Sequence, residues 1–305
     1  MRIAFFGTPE FAVPSLRALL EEGFDVVAVI TQPDRPHGRS RSTLVAPPVK
    51  LVALEEEIPV LQPEKPVGPF LDDFRALQAD IGVVVAYGHI LRPELLGLPR
   101  LGMINVHASV LPALRGAAPI QWAILNGNET TGISIIQLET GLDSGPVLHT
   151  IETEIARDET GGELTERLAE LGAAALVEAL ELIEGNEARP VPQDHARATF
   201  APKVSRQTAR LEWTRDAATL ARVIRAFDPE PGAWCVVDGD EVKLFGATAA
   251  NATGEPGTVL AAGRTLTVAA GVGAVEVAEI QPAGKKRMPA ADWYRGRGKT
   301  APRFA

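Results

Sequence analysis

Through its first half the chain alternates short apolar runs with stretches of helical period, and that alternation limits the possible folds more than any other feature. Ile3–Phe6 is a continuous apolar run. Thr8-Pro9 then stand where a helix cap and first turn would lie, before a helical pattern over Phe11–Glu22 that stops at Gly23. Phe24–Ile30 is a second apolar run and Pro47–Glu57 a second helical stretch. Pro59–Leu61, Ile81–Tyr87, Met103–Val106 and Ile133–Leu138 add further strands. Strands separated by helices predict an α/β fold with a doubly wound, Rossmann-like, mostly parallel sheet. Such sheets bind ligands beyond the carboxyl ends of their strands, at the point where strand order reverses. Functional residues are therefore sought just after strands.

Glu163–Ile183 reads as one long helix ending before Gly185-Asn186. Ala188–Val204 holds three prolines and no period, which predicts a linker. After a helix over Ala217–Ala226 the pattern changes to short strands parted by glycine-rich turns: Trp234–Val237, Val242–Phe245, Thr258–Ala261, Thr265–Ala269 and Val275–Ile280. Five closely spaced strands fit an OB-like β-barrel, a common nucleic-acid scaffold. The predicted organisation is a domain over 1–187, a linker over 188–206 and a second domain over 207–305.

Charge divides along the same line. Residues 1–200 carry 15 Lys and Arg against 28 Asp and Glu, a net of −13, whereas residues 201–305 carry 15 against 11, a net of +4. A basic C-terminal part in an acidic protein is the pattern of a segment that meets a polyanion, although drift between two domains gives the same numbers. The single cysteine, Cys235, can form no internal disulfide and no cysteine-based zinc cage, which suits a reducing compartment. No metal-ligand spacing is present, so no metal is expected. The first strand begins directly after Met1-Arg2, leaving no room for a leader, and no apolar run reaches the roughly 18 residues of a membrane span. The expectation is a cytoplasmic protein that makes no membrane contact.

Gly7-Thr8-Pro9-Glu10-Phe11-Ala12 occupies the place of a dinucleotide-binding G-x-G-x-x-G but keeps only its first glycine, which argues against a nicotinamide enzyme. The most informative stretch is Asn105-Val106-His107-Ala108-Ser109-Val110-Leu111-Pro112. Asn105 and His107 lie two apart at a strand end, so their side chains project to one side. An amide donor beside a group titrating near neutrality can stabilise an oxyanion and move a proton, the two needs of acyl transfer. By residue type alone the pair also fits a turn amide beside a structural histidine. In Gly141-Leu142-Asp143-Ser144-Gly145, glycines flank a carboxylate. Such a loop can place Asp143 in a cleft, where it would fix the tautomer of His107 and favour its imidazolium form, or it can simply make an Asx-turn. His37, His89, His149 and His195 read as loop or surface residues. Gln32–Arg41 is a long loop carrying Arg35, Arg39 and Arg41, which suits phosphate reading as well as a solvated charge run.

Taken together these segments resemble the methionyl-tRNA formyltransferase family. The likeness runs through Phe6–Ala12, Thr31–Pro36 with Gly38-Arg39, Ala86-Tyr87-Gly88, Ile104–Ser109, Leu111-Pro112, Arg115–Gln121 and Gly141–Gly145. It continues through Ile224–Phe227 and Gln281–Lys286, in order and over nearly the whole chain. The resemblance implies 10-formyltetrahydrofolate as co-substrate and initiator methionyl-tRNA as acceptor; a monomer is expected, since it leaves two domains free to clasp one tRNA. It implies Asn105, His107 and Asp143 as the catalytic trio, and Ser109, Val110, Leu111 and Pro112 as the folate-holding turn, with Val110 a mild departure. It also implies a tRNA-contacting arginine at Arg39. Arg41 beside it, and Lys285, Lys286 and Arg287 after the last barrel strand, are the further cations expected on tRNA.

Overall fold

Six of the apolar runs become strands of one sheet. The computed structural model describes residues 1–37, 43–297 and 301–305. In it β1 (Arg2–Gly7), β2 (Asp25–Ile30), the short β3 (Arg35–His37) and β4 (Thr43–Val45), β5 (Val60–Leu61), β6 (Ile81–Val85), β7 (Met103–His107), β8 (Thr130–Gln137) and β9 (Val147–Glu154) follow in chain order. Seven of them form a sheet ordered β5-β2-β1-β6-β7-β8-β9. Pairings from β5 through β7 are parallel, and β7 with β8 is antiparallel. From β1 the chain winds outward through β2 to β5, then returns to β6 on the other side of β1. The switch point therefore lies between β1 and β6. The edge strand β9 was not legible because it alternates half-buried with exposed residues and carries no apolar run.

Helices α1 (Val13–Glu21), α2 (Pro48–Glu55), α3 (Phe70–Ala76) and α4 (Pro93–Leu96) connect the parallel strands. Thr8 does not cap the first of them. Its hydroxyl donates to the Tyr87 carbonyl at 3.0 Å and accepts the Gln32 N–H at 3.4 Å, tying the ends of β1, β2 and β6 together. A single 3₁₀ turn over Glu10–Ala12 precedes α1 instead. The Gln32–Arg41 segment is not wholly a loop either, because Arg35–His37 forms β3, which pairs antiparallel with β4. Asp34 beside it accepts both Lys50, at 2.8 Å, and Gln62, and these bonds hold its carboxyl below the usual carboxylate range.

Later in the chain come α5 (Pro119–Asn126), α6 (Gly161–Glu184), α7 (Ala217–Ala226) and α8 (Ala290–Arg295). The α6 residues Leu168, Ala169, Leu176, Ala179 and Leu180 are buried. A Cβ built on Gly172 would lie 3.0 Å from Val106, so the bare helix face is what allows α6 to press on β7. Strands β10 (Ala233–Val237), β11 (Asp240–Ala250), β12 (Val259–Ala262), β13 (Leu266–Ala269), β14 (Ala274–Pro282) and β15 (Met288–Pro289) make an antiparallel sheet in the order β10-β11-β14-β13-β12, with β15 on β14. Trp213 and Trp293 pack edge-on against Phe304 in the core over this sheet. Cys235 is buried there, and burial pushes its thiol up to about 12, which leaves it a packing residue.

Two compact units result. One comprises Met1–Gly116, Thr131–Thr153 and Thr165–Phe200; the other comprises Ala117–Thr130, Glu154–Leu164 and Ala201–Ala305. The stretch expected as a free linker divides between them, and its first part packs as an integral piece of the first unit. No helix among the described residues is long and apolar enough to cross a membrane.

Candidate active site

Strand β7 is flanked by β6 and β8, so its register is fixed from both sides. Asn105 lies opposite Val84 and Ile136, and His107 lies opposite Ser134. The alternation of a strand sends both side chains to one side. The Asn105 amide makes no hydrogen bond to any described residue, and it is half-buried.

His107 is 5% exposed. Its Nε2 lies 3.0 Å from the Leu114 carbonyl oxygen. A carbonyl only accepts, so Nε2 carries the proton and Nδ1 is the free nitrogen in the neutral ring. Nδ1 faces Oδ2 of Asp143 at 3.7 Å, beyond hydrogen-bond length, so the two interact through charge. Burial is the larger influence on the imidazole and holds its pKa below the ordinary value of 6.5, while the Asp143 carboxylate works the other way. Asp143 thus favours the imidazolium, as its sequence context implies, but burial outweighs it and the resting ring is neutral.

Asp143 sits in a loop of special backbone. Its φ is 45°, in the left-handed region, and its Oδ2 accepts the Gly116 N–H at 2.8 Å. A Cβ on Gly145 would lie 1.8 Å from the Gln137 carbonyl oxygen, so only glycine permits the loop to close against β8. The structure brings His107 and Asp143 together at the carboxyl edge of the sheet, with Asn105 on the same strand.

The Ser109–Pro112 turn leaves β7 directly beyond His107. Ser109 and Leu111 are buried, whereas Val110 and Pro112 are half-buried. The Ser109 hydroxyl donates to the Ala113 carbonyl at 2.6 Å. Ser134 Oγ donates to the Ser109 carbonyl and accepts the Leu111 N–H. The turn is therefore held rigid by its own bonds and by β8. At the switch point Tyr87 is buried, and its carbonyl takes hydrogen bonds from Thr8 and Gln32.

The expected tRNA cations separate into three groups. Arg39 and Arg41 lie outside the described residues. Lys285 and Lys286 are exposed on the turn after β14. Arg287 is engaged: it pairs with Asp228 at 2.9 Å and Glu279 at 2.5 Å, and it lies 4.1 Å over the Phe245 ring. Sequence reasoning missed Arg115, Gln193 and His195 as one group. Arg115 is buried, and its guanidinium donates to Gln193 Oε1 and to His195 Nδ1. No local spacing marks them, since 78 residues separate Arg115 from Gln193. Among the described residues no three His, Cys, Asp or Glu side chains gather as a metal group.

Residues 1–180 match the family model described as formyl transferase, and residues 203–298 match the formyl transferase C-terminal domain. A methionyl-tRNA formyltransferase of Myxococcus xanthus is 48% identical over 303 residues, covering 99% of this chain and 96% of its own. The chain belongs to the methionyl-tRNA formyltransferase family. A second member, from Citrifermentans bemidjiense, is 45% identical over 97% of this chain and 93% of its own. The fold also resembles HypX from Aquifex aeolicus in complex with tetrahydrofolic acid, with a TM-score of 0.65 at 22% identity. That likeness covers 98% of this chain and 47% of HypX.

Because burial lowers the His107 pKa and the Asp143 carboxylate raises it, the ring should titrate below pH 6.5, and lower still in Asp143→Asn. NMR of the histidine ring protons, assigned with a His107→Gln variant, measures both values. A wild-type titration at or above 6.5, or an upward move in Asp143→Asn, would contradict this electrostatic balance.

Proposed function

We propose that this chain transfers the formyl group of 10-formyltetrahydrofolate to the free amino group of methionyl-initiator tRNA, giving N-formylmethionyl-tRNA for translation initiation. The observation that carries the reading is a buried neutral imidazole, aimed by Leu114 and faced by a carboxylate, on the same strand as an uncommitted amide. The match to the family over both halves of the chain supports it, and so does the fold shared with a tetrahydrofolate-bound protein.

On this reading the residues of the site divide the steps among them. The methionine amine attacks the formyl carbon with its lone pair, and the carbonyl electrons move onto oxygen. Asn105 donates an N–H to that oxyanion. The new C–N bond leaves the amine nitrogen positive, and its proton passes to His107 Nδ1. The imidazolium so formed is stabilised by Asp143 and adds its charge to the support of the oxyanion. When the tetrahedral carbon collapses, the folate C–N bond breaks and the same proton goes to the leaving folate nitrogen. His107 begins and ends neutral, which is the state that its burial favours. Charge stabilisation comes from an amide and an imidazolium, so the steps call on no metal.

Ser109, Val110, Leu111 and Pro112 serve as the wall against which the folate lies. Arg39 and Arg41 meet the acceptor end of the tRNA, and Lys285 and Lys286 meet its backbone. The same reading divides the work between residues 1–187, for chemistry, and 207–305, for tRNA. It places the protein in the cytoplasm, acting as a monomer. A formylation assay comparing initiator with elongator methionyl-tRNA tests the function directly: preference for the initiator is expected, and failure to formylate either would overturn it.

Two further outcomes follow. Asn105→Ala, His107→Ala and Asp143→Asn should each lower turnover by about 10² or more, the scale of a lost oxyanion donor or proton carrier, with folate affinity little changed. Near-normal turnover in His107→Ala would defeat the assignment. On the tRNA side, Lys285→Ala with Lys286→Ala should flatten the dependence of log K on log salt by up to about two units, one for each lost phosphate contact. Arg287→Ala should leave that slope in place, because its charge is already paired with Asp228 and Glu279. Filter binding of initiator tRNA across a salt series distinguishes these cases, and an unchanged slope in the double variant would mark the two lysines as solvated surface.

A further inference from the structure

Between α6 and the second unit the chain runs through Pro190 and Pro192 and then buries one polar side chain, Gln193, which is 8% exposed. Its amide makes four hydrogen bonds. Oε1 accepts from Arg115 Nε at 3.1 Å and from Arg115 Nη2 at 2.6 Å. Nε2 donates to the carbonyls of Asp143 at 2.8 Å and Gly145 at 2.7 Å. The guanidinium can only donate and the carbonyls can only accept, so the orientation of the amide is fixed by its partners and its capacity is fully used.

These bonds reach both supports of the Asp143 carboxylate. One support is the backbone of Asp143 itself, held in the left-handed region. The other is the N–H of Gly116, next in sequence to Arg115, which donates to Asp143 Oδ2 at 2.8 Å. The Arg115 N–H is in turn held by the Thr199 carbonyl, six residues beyond Gln193 on the same segment. None of these hydrogen bonds goes to His107, Asn105 or the Ser109–Pro112 turn.

We propose that Gln193 is a positioning residue for formyl transfer: by bridging Arg115 to the Asp143 loop it sets where the Asp143 carboxylate stands relative to His107 Nδ1. The inference rests on the reading that Asp143 acts with His107. It gives this stretch of the first unit a catalytic consequence that its proline-rich sequence does not announce. A glutamine suits this role because no other uncharged side chain of that length both donates and accepts in pairs. A glutamate would keep Arg115 but turn a carboxylate oxygen against two carbonyls. A methionine would keep the volume and lose all four bonds.

The test compares Gln193→Met and Gln193→Glu with Asp143→Asn in the full chain. Turnover in both Gln193 variants should fall by about 10-fold or more, as misplacement of a reacting group by a fraction of an ångström to 1 Å does. The KM for folate should stay within about twofold, since the Ser109–Pro112 turn keeps its bonds to Ser134. Asp143 and Arg115 are the charged groups that face the His107 ring. As the carboxylate loosens, the NMR titration of that ring should move to lower pH in Gln193→Met, in the direction of Asp143→Asn. Unchanged turnover overturns the proposal, and so does a turnover loss with the His107 titration unmoved, which would mark general loosening of the segment. If Gln193→Met fails to fold, Gln193→Asn, which shortens the amide without adding charge, carries the same two readouts. Should Asp143→Asn itself keep near-normal turnover, the underlying assignment of Asp143 fails instead.

Discussion

The hydrogen bond from His107 Nε2 to the Leu114 carbonyl is the contact on which the rest of the site depends. It assigns the tautomer, and with it the identity of the nitrogen left to take a proton. The Leu114 carbonyl can point at the ring because Leu114 adopts a φ of 59°, a conformation that costs energy for a branched side chain. That conformation is held from outside: the Leu114 N–H donates to Thr199 Oγ1, and the next N–H, of Arg115, donates to the Thr199 carbonyl. Removing a buried ring from water costs more when it is charged than when it is neutral. The fold therefore stores His107 in its proton-accepting form and places Asp143 where it stabilises the charged form only once a proton arrives.

In the proposed reaction this division between burial and carboxylate decides the chemistry. A carboxylate in full hydrogen-bond contact would bind the ring tightly in one state. At 3.7 Å it acts through its field, with its own Oδ2 anchored on Gly116. The site thus combines a neutral acceptor, a nearby stabilising charge and an uncommitted amide, which are the elements that an amine attacking a formyl carbon requires. The sheet topology supplies the location. The strand end carrying Asn105 and His107 neighbours β6, and β6 lies at the switch point beside β1.

Much of this was legible in the sequence because it depends on short-range pattern. Apolar runs marked six strands of the first sheet, strand alternation put Asn105 and His107 on one side, and flanking glycines marked the Asp143 loop. What escaped depends on contacts far apart in sequence. β9 is an edge strand whose residues are half-exposed, so no apolar run signals it. Thr8 resembles a helix cap, but its hydroxyl is used by Gln32 and Tyr87 from other strand ends. Arg287 looks like a free cation in a basic cluster, yet Asp228, 59 residues earlier, occupies it. Gln193 lies in a proline-rich stretch that reads as a linker, and only tertiary structure brings its amide to the Asp143 loop. For Thr8, Arg287 and Gln193 the missing information is a partner, not a propensity.

The central claim is that His107 rests neutral with its proton on Nε2 and Nδ1 bare toward Asp143. Nitrogen-15 NMR of the imidazole ring at neutral pH, with His107→Gln for assignment, reads this directly. The account predicts a protonated-type shift for Nε2 and an unprotonated-type shift for Nδ1. A proton on Nδ1, or two protonated nitrogens at neutral pH, would contradict it.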